Sequence, residues 1–135
     1  MIAAALACGV AAISGAEAAG SNQFQLTVRG YVPVNCKLDL SQVTVQPASA
    51  GQVNLGAVGE FCNTHNYRIM VDFDPILLSG ARVNLGADGV TLGATGSEMI
   101  TQGVQPTIRS RPISVTLNRQ LQTMATIALR IEAAI

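Results

Sequence analysis

The chain has 135 residues, which is enough for a single domain with its own core. Its eight basic and eight acidic residues cancel, and charged residues make up only 12% of the sequence. So little charge argues against a nucleic-acid groove or a polybasic membrane patch, and the absence of Trp argues against an aromatic platform for sugars or bases.

The first predicted element is a leader. Residues 1–13 form an apolar run that is too short to span a bilayer, and Ala16, Glu17 and Ala18 then fit the small-x-small pattern of a signal peptidase site. We therefore predict a signal peptide over residues 1–18 and an exported mature chain, with a buried Ala-rich helix as the alternative. Because no Lys or Arg precedes the apolar run, we expect the natural start to lie upstream or the leader to be trimmed.

The mature chain opens on an alternating stretch. Phe24, Leu26 and Val28 share one face of it, and polar residues occupy the other face. Gly30 marks a break or bulge. Alternation then resumes over residues 32–40, where a proline indicates an edge strand whose backbone N–H is not needed.

Short alternating or apolar stretches follow along the rest of the chain, and turn signals separate most of them. They cover residues 43–45, 53–55, 67–73, 83–85, 90–92, 99–100, 113–117 and 127–131. Residues 67–73 form the strongest of these strands, and "GADG" between two others reads as a hairpin turn. About eight short strands without a convincing amphipathic helix predict an antiparallel β-sandwich or barrel.

Two cysteines remain once Cys8 leaves with the leader. In an exported chain, Cys36 and Cys62 are most simply read as one disulfide, which closes a loop of about 25 residues and contributes about 3 kcal/mol of stability. Metal binding by the two thiols and His65 would lack a fourth ligand. A disulfide from an early to a middle strand favours a sandwich over a barrel.

The inventory of catalytic side chains is thin. His65 is the single histidine, and a catalytic triad would need it to meet Asp72 or Asp74 and a serine that lies in no recognisable motif. Two carboxylates two positions apart make a poor calcium site. We expect no enzymatic activity, no cofactor and no metal. Arg109 and Arg111 are expected to be solubilising charges on an edge or loop.

Three segments together resemble the pilin subunits of chaperone–usher fimbriae. "LTVRGYVPVNCKL" is similar to the join between a pilin's N-terminal extension and its first domain strand. "FCNTHNYRIMVDF" resembles the region where the second cysteine precedes a long inward-facing strand, and "MATIALRIEA" resembles the final strand. The layout is also similar to that of spore-coat-U-like secreted domains.

The resemblance implies an immunoglobulin-like β-sandwich over residues 30–135 that lacks its last strand, preceded by an extension at residues 19–29. A periplasmic chaperone would first lend a strand to the groove, and the extension of a neighbouring subunit would then replace it. The resemblance assigns two sets of apolar side chains: a donor strand of Phe24, Leu26 and Val28, and a groove and chaperone-binding edge strand of Ile127, Leu129 and Ile131.

The sequence therefore predicts a structural subunit of a surface fimbria. Its expected partners are the periplasmic chaperone, an outer-membrane usher and neighbouring subunits, with no nucleic acid. It would pass through the periplasm and end at the cell surface. The alternative is a complete exported β-sandwich that acts as a coat or binding protein, in which residues 24–28 are simply the first strand.

Overall fold

The computed structural model describes residues 25–133. The predicted signal peptide, Cys8 and Phe24 lie outside the described residues. The chain divides into two units, Met1–Val32 and Pro33–Ile135. Residues 25–32 of the first unit form neither strand nor helix, whereas residues 33–133, the described part of the second unit, hold nine strands and one short helix.

The second unit is built almost entirely of β-strands. Its strands are β1 (Cys36–Leu38), β2 (Gln42–Val45), β3 (Gly51–Cys62), β4 (Tyr67–Phe73), β5 (Arg82–Leu85), β6 (Asp88–Thr91), β7 (Ser97–Gly103), β8 (Thr107–Leu117) and β9 (Ala125–Ala133). One helical turn, α1 (Pro75–Leu78), follows β4 and begins at the cap residue Asp74. Within residues 25–133, no helix is long and apolar enough to cross a membrane.

One sheet has five strands in the order β1-β3-β8-β5-β6, and every neighbouring pair is antiparallel. Its longest pair is β3 with β8, whose register shifts at a bulge between Asn54 and Gly56. The predicted hairpin is confirmed: β5 and β6 are joined by Gly86 and Ala87, and Gly86 takes the positive φ of 59° that such a two-residue turn needs.

The second sheet has four antiparallel strands in the order β2-β9-β4-β7. The strand predicted to be strongest, β4, is a central strand of this sheet. Its alternate side chains Tyr67, Ile69, Val71 and Phe73 are all buried, as period-two alternation predicts for a strand with one face on the core.

The two sheets bury their inward faces against one apolar core that takes side chains from both, among them Val58, Val83 and Ile113 from the first sheet and Ile69 and Ile127 from the second. The predicted fold class is confirmed: the protein is an all-β antiparallel sandwich with one disulfide, Cys36–Cys62. The chain passes from the five-stranded sheet to the four-stranded sheet between β1 and β2, so these two consecutive strands belong to different layers.

The strand expected over residues 32–40 is shorter in the structure, where β1 covers only Cys36–Leu38. In the residues just before β1, side-chain hydrogen bonds take the place of backbone pairing between strands. The Asn63 amide donates to the Pro33 carbonyl (2.8 Å) and accepts from the Asn35 N–H (2.7 Å). Beyond β1, the Ser41 carbonyl already accepts from the Leu129 N–H in the other sheet (2.8 Å). The alternation of apolar and polar residues therefore extends beyond the three residues of β1 that pair with β3.

Candidate functional site: an unpaired half of the last strand

The two halves of β9 have different neighbours. Residues 125–128 pair with β2 on one side, and residues 127–133 pair with β4 on the other. Within the described part of the chain, no strand pairs with residues 129–133 on the side away from β4. Only the Leu129 N–H is engaged there, by Ser41. This unpaired half-edge leaves a row of backbone donors and acceptors free for another strand.

Apolar side chains line the seam beside the unpaired half-edge. Leu129 is 3% exposed, and Ile131 is only partly buried against the core. Across the seam, β1 packs next to β9 and contributes Cys36 and Leu38, which are also only partly buried. Free backbone groups next to partly covered apolar side chains are what an added β-strand would cover.

The predicted groove residues all lie on β9 and point towards the core, but they are not equivalent. Ile127 is fully buried and lies where β2 and β4 both pair with β9. The edge therefore begins at Leu129 rather than at Ile127, because β2 already fills the position beside the first half of β9. The sequence could not show this, since the alternation runs through both halves without a change.

Two of the three predicted donor side chains lie within the described residues. Leu26 is 76% exposed and Val28 is 79% exposed, in a stretch that forms no strand. Tyr31 and Val32 are exposed as well. Single exposed apolar residues are ordinary, whereas contiguous exposed apolar surface is typical of interaction sites.

The predicted disulfide between Cys36 and Cys62 lies at the base of that segment. The two residues are directly opposite each other in the β1–β3 pairing, with their Cα atoms 4.0 Å apart. Asn63, the next residue, holds Pro33 and Asn35 through its side chain, and its N–H donates to the Asn35 carbonyl (3.2 Å). The domain therefore holds the chain firmly from residue 33 onwards.

Other sheet edges are also unpaired among the described residues: one side of each of the edge strands β1, β2, β6 and β7, and residues 51–58 of β3 on the side away from β8. The β3 stretch carries the bulge, and Gly51 and Gly56 both have positive φ (134° and 105°). Bulges and glycines interrupt the regular row of backbone groups that strand addition requires. Residues 129–133 of β9 have no such interruption and form the better acceptor.

Sequence reasoning missed a buried charged cluster between the two sheets, which reaches from β3 to the edge strands β6 and β7. Arg111 lies inside, with its side chain 11% exposed, and its Nη2 donates to the Glu60 carboxylate (2.9 Å). Arg111 also donates to Asp88 on β6 (2.7 Å) and to the Thr101 hydroxyl on β7 (2.9 Å). Glu60 itself is 2% exposed and also faces Arg109 at 3.4 Å. We call these five residues the buried ion cluster; Glu60 and Arg111 form its buried centre, and the Asp88 and Arg109 side chains at its rim are 44% and 41% exposed.

The expectation that Arg109 and Arg111 lie on an edge or loop is wrong. They belong to β8, a central strand of the five-stranded sheet, and their side chains share its inward face with buried Ile113. Positions 109 and 111 continue the series of alternate, inward-facing residues at 113, 115 and 117, so the alternation of the sequence indicates that both arginine side chains point inward. A charged residue within an apolar series suggests a surface position, but buried charges that have partners are well known.

The buried ion cluster ties the two sheets together at one side. Asp88 and Thr101 come from the edge strands of different sheets, and the same guanidinium binds both. Hydrogen bonding to Arg111 lowers the pKa of Asp88, against the opposing effect of burial. Since no buried side-chain nitrogen or oxygen among the described residues lacks a partner, the cluster is fully satisfied and shows no atom directed at a ligand.

The other candidate chemical groups are engaged structurally or exposed. Asp74 caps α1 by accepting from the Ile76 N–H (2.9 Å), and the hydrogen bond from Arg130 lowers the pKa of Asp72. His65 is exposed in the loop after the disulfide. Residues 25–133 contain no group of three or more His, Cys, Asp or Glu side chains placed to hold a metal ion.

No family model matches the chain, and neither the curated proteins nor the solved structures include a significant match to it.

Proposed function

We propose that the protein is a structural subunit of a surface fibre that assembles by strand donation. Residues 24–28 of one copy add to residues 129–133 of the next copy and complete its four-stranded sheet. One observation carries the proposal: the same chain presents an exposed apolar segment that forms no strand and a half-strand whose edge is unpaired among the described residues.

The two segments match in length and pattern. Each has five residues, and each has three inward positions in alternation. These are Phe24, Leu26 and Val28 in the donor and Leu129, Ile131 and Ala133 in the acceptor. Full burial of the three donor side chains would contribute on the order of 5–9 kcal/mol before backbone hydrogen bonds are counted. That is enough to hold two copies together.

Both segments are hazardous if they are left open. An unpaired sheet edge beside exposed apolar side chains is a template for aggregation. The proposal therefore includes export by the signal peptide, a periplasmic chaperone that covers the β9 half-edge in transit, and an outer-membrane usher that guides the exchange. A fibre at the cell surface is then the end state, and no catalytic group is required for any of these steps.

The experiment compares inward and outward positions of the donor segment in the full mature chain. The test variant carries Leu26→Arg and Val28→Arg, and the matched control carries Gln25→Arg and Thr27→Arg. We expect the wild type and the control to form polymers that sedimentation velocity and electron microscopy detect, and the test variant to stay monomeric. Both variants add two positive charges, so charge alone cannot produce the difference.

Polymers that form equally well from the test variant would contradict strand donation by this segment. A second readout uses a fluorescent peptide of residues 22–32 added to the test variant, whose own donor is disabled and whose β9 half-edge is therefore available. Binding of that peptide, and its loss when Ile131→Asp is introduced, is the expected result. Peptide that binds equally with and without Ile131→Asp would place the site elsewhere.

A complete exported β-sandwich remains the second candidate, because none of residues 25–35 belongs to the core that β1–β9 share. In that case the test variant and the wild type would both be stable monomers. The peptide of residues 22–32 would bind neither of them. The same sedimentation and peptide measurements therefore separate the two functions.

A further inference from the structure

The outer face of the five-stranded sheet carries an apolar surface near the disulfide. Phe61 on β3 and Ile108 on β8 lie directly opposite each other in the strand pairing, and Ile108 is 82% exposed. The Lys37 ammonium lies 5.7 Å from the centre of the Phe61 ring. On the same face, the next pair consists of the small residues Gly59 and Ser110. A shallow depression of about 550 Å³ lies here, and it is also lined by Asp39, whose carboxylate accepts from the Gly59 N–H (2.6 Å).

We define this surface as the end patch, made of Lys37, Gly59, Phe61, Ile108 and Ser110. Glu60 and Arg109 of the buried ion cluster also line the depression, but they alternate along β3 and β8 with the end-patch residues, whose side chains therefore point to the opposite face of the sheet. None of its members serves the core or the unpaired half-edge of β9. Its apolar side chains therefore have no role yet within the fold.

The end patch lies at the end of the sandwich from which the donor segment leaves. Cys62 and Thr107, which pair with each other, come one position beyond Phe61 and Ile108. Asn63 follows and fixes Pro33. From the Cα of Val28 to that of Pro33 there are five residue steps, which span at most about 18 Å even when the chain is fully extended.

We propose that the end patch is a docking surface for a second copy of this chain, namely the copy that accepts the donor segment. This inference rests on the proposed function. A subunit whose β9 binds residues 24–28 is tethered within about 18 Å of Pro33, and the end patch is the exposed apolar surface beside that tether. The contact turns a flexible link into a two-point attachment, which raises the effective concentration at each point.

The test uses Ile108→Lys in the full mature chain, with Ile76→Lys as the matched control. Ile76 is 80% exposed, but it lies in α1, which follows the far end of β4. Three quantities are measured: the rate at which diluted polymers shorten, the binding of the fluorescent peptide of residues 22–32 to chains that also carry Leu26→Arg and Val28→Arg, and urea unfolding.

We expect Ile108→Lys to make diluted polymers shorten roughly tenfold faster, since a charge replaces a buried apolar contact. Peptide binding should stay within about twofold of the wild type, because the peptide occupies β9 and cannot reach across two subunits. Ile76→Lys should change neither quantity. Ile108→Thr, which keeps a β-branched side chain, should show a smaller acceleration and serves if the lysine variant unfolds.

The outcomes separate this inference from the function on which it rests. If the peptide binds and Ile108→Lys polymers shorten at the wild-type rate, the end patch is not an interface, and strand donation stands. If the peptide does not bind and the donor variants polymerise normally, strand donation fails, and the inference fails with it. If Ile76→Lys accelerates shortening as much as Ile108→Lys, the effect is one of charge and the inference is overturned.

Discussion

The two sides of this sandwich differ in how the edges of its two sheets are held. On one side, the edge strands β6 and β7 belong to different sheets, and Arg111 binds Asp88 on the first and Thr101 on the second. On the other side, the chain crosses between the sheets from β1 to β2, and within the described residues no strand pairs with residues 129–133 of β9 on the side away from β4, where only the Leu129 N–H is engaged, by Ser41. Side chains join the two sheets on the first side, whereas the second side has unpaired backbone groups of β9 next to partly buried apolar side chains.

The difference shows how one fold can be stable and still accept a strand. Buried ionic contacts are directional and need every partner in place, so the ion-cluster side has a single arrangement. Backbone groups and alternating apolar side chains accept any chain with the matching pattern, so the open side can bind a partner strand. The predictions below test whether stability and assembly are indeed divided between the two sides.

The largest expected effect comes from breaking the buried ion cluster. Arg111→Ala leaves Glu60 buried with only the weaker contact from Arg109, and we expect a loss of about 3–5 kcal/mol in the free energy of unfolding. The control is Arg130→Ala, which removes a half-exposed ion pair with Asp72 and should cost at most about 1 kcal/mol. Urea unfolding followed by circular dichroism measures both. Equal losses of unfolding free energy in the two variants would show that the buried ion cluster does not hold the two sheets together more strongly than a half-exposed ion pair does.

A somewhat smaller effect is expected on the open side. Replacing both Cys36 and Cys62 by Ser removes the bond that fastens β1 to β3, with an expected cost of about 3 kcal/mol. Because β1 borders the β9 half-edge, binding of the peptide of residues 22–32 should weaken as well. Arg111→Ala should leave the affinity of the folded fraction for the peptide unchanged. A disulfide-free chain that binds the peptide as tightly as the wild type would show that β1 takes no part in the site.

The smallest effect is the dependence on acid. The folded-state pKa of Asp88 is lowered, chiefly by its hydrogen bond from Arg111, so this carboxylate stabilises the folded state above its unfolded pKa of about 3.9. That contribution is lost as the pH falls through the lowered folded value. We expect the urea midpoint to fall as the pH drops below about 4, and to fall less in Asp88→Asn. If the urea midpoint of Asp88→Asn fell with decreasing pH as steeply as that of the wild type, carboxylates other than Asp88 would account for the pH dependence.

The sequence was sufficient for the layered plan of the fold. Period-two alternation located β4 and β8, the turn residues located the β5–β6 hairpin, and the two cysteines of the mature chain gave the disulfide. These features are local, or they depend on a pairing with no competitor. They therefore follow from residue type and spacing alone.

The rest depends on which strands become neighbours. The two halves of β9 look alike in sequence, and only the position of β2 makes one of them an edge. Arg111 is expected on an edge or loop because it flanks a serine just before a proline, and its charged partners Glu60 and Asp88 are 51 and 23 residues away in the chain. Long-range pairing of this kind is set by the whole topology, and no single segment reveals it.

The place of β9 in the chain has a consequence for folding. It follows every other strand, yet it lies between β2 and β4 in the four-stranded sheet. Until residues 125–133 are available, β2 has no partner strand in that sheet and β4 pairs only with β7. The four-stranded layer cannot close before residues 125–133 are in place, and most contacts in the fold join residues that are distant in the chain, which makes such folding slow. The same strand that offers an acceptor edge to a partner is thus the one whose arrival completes the domain.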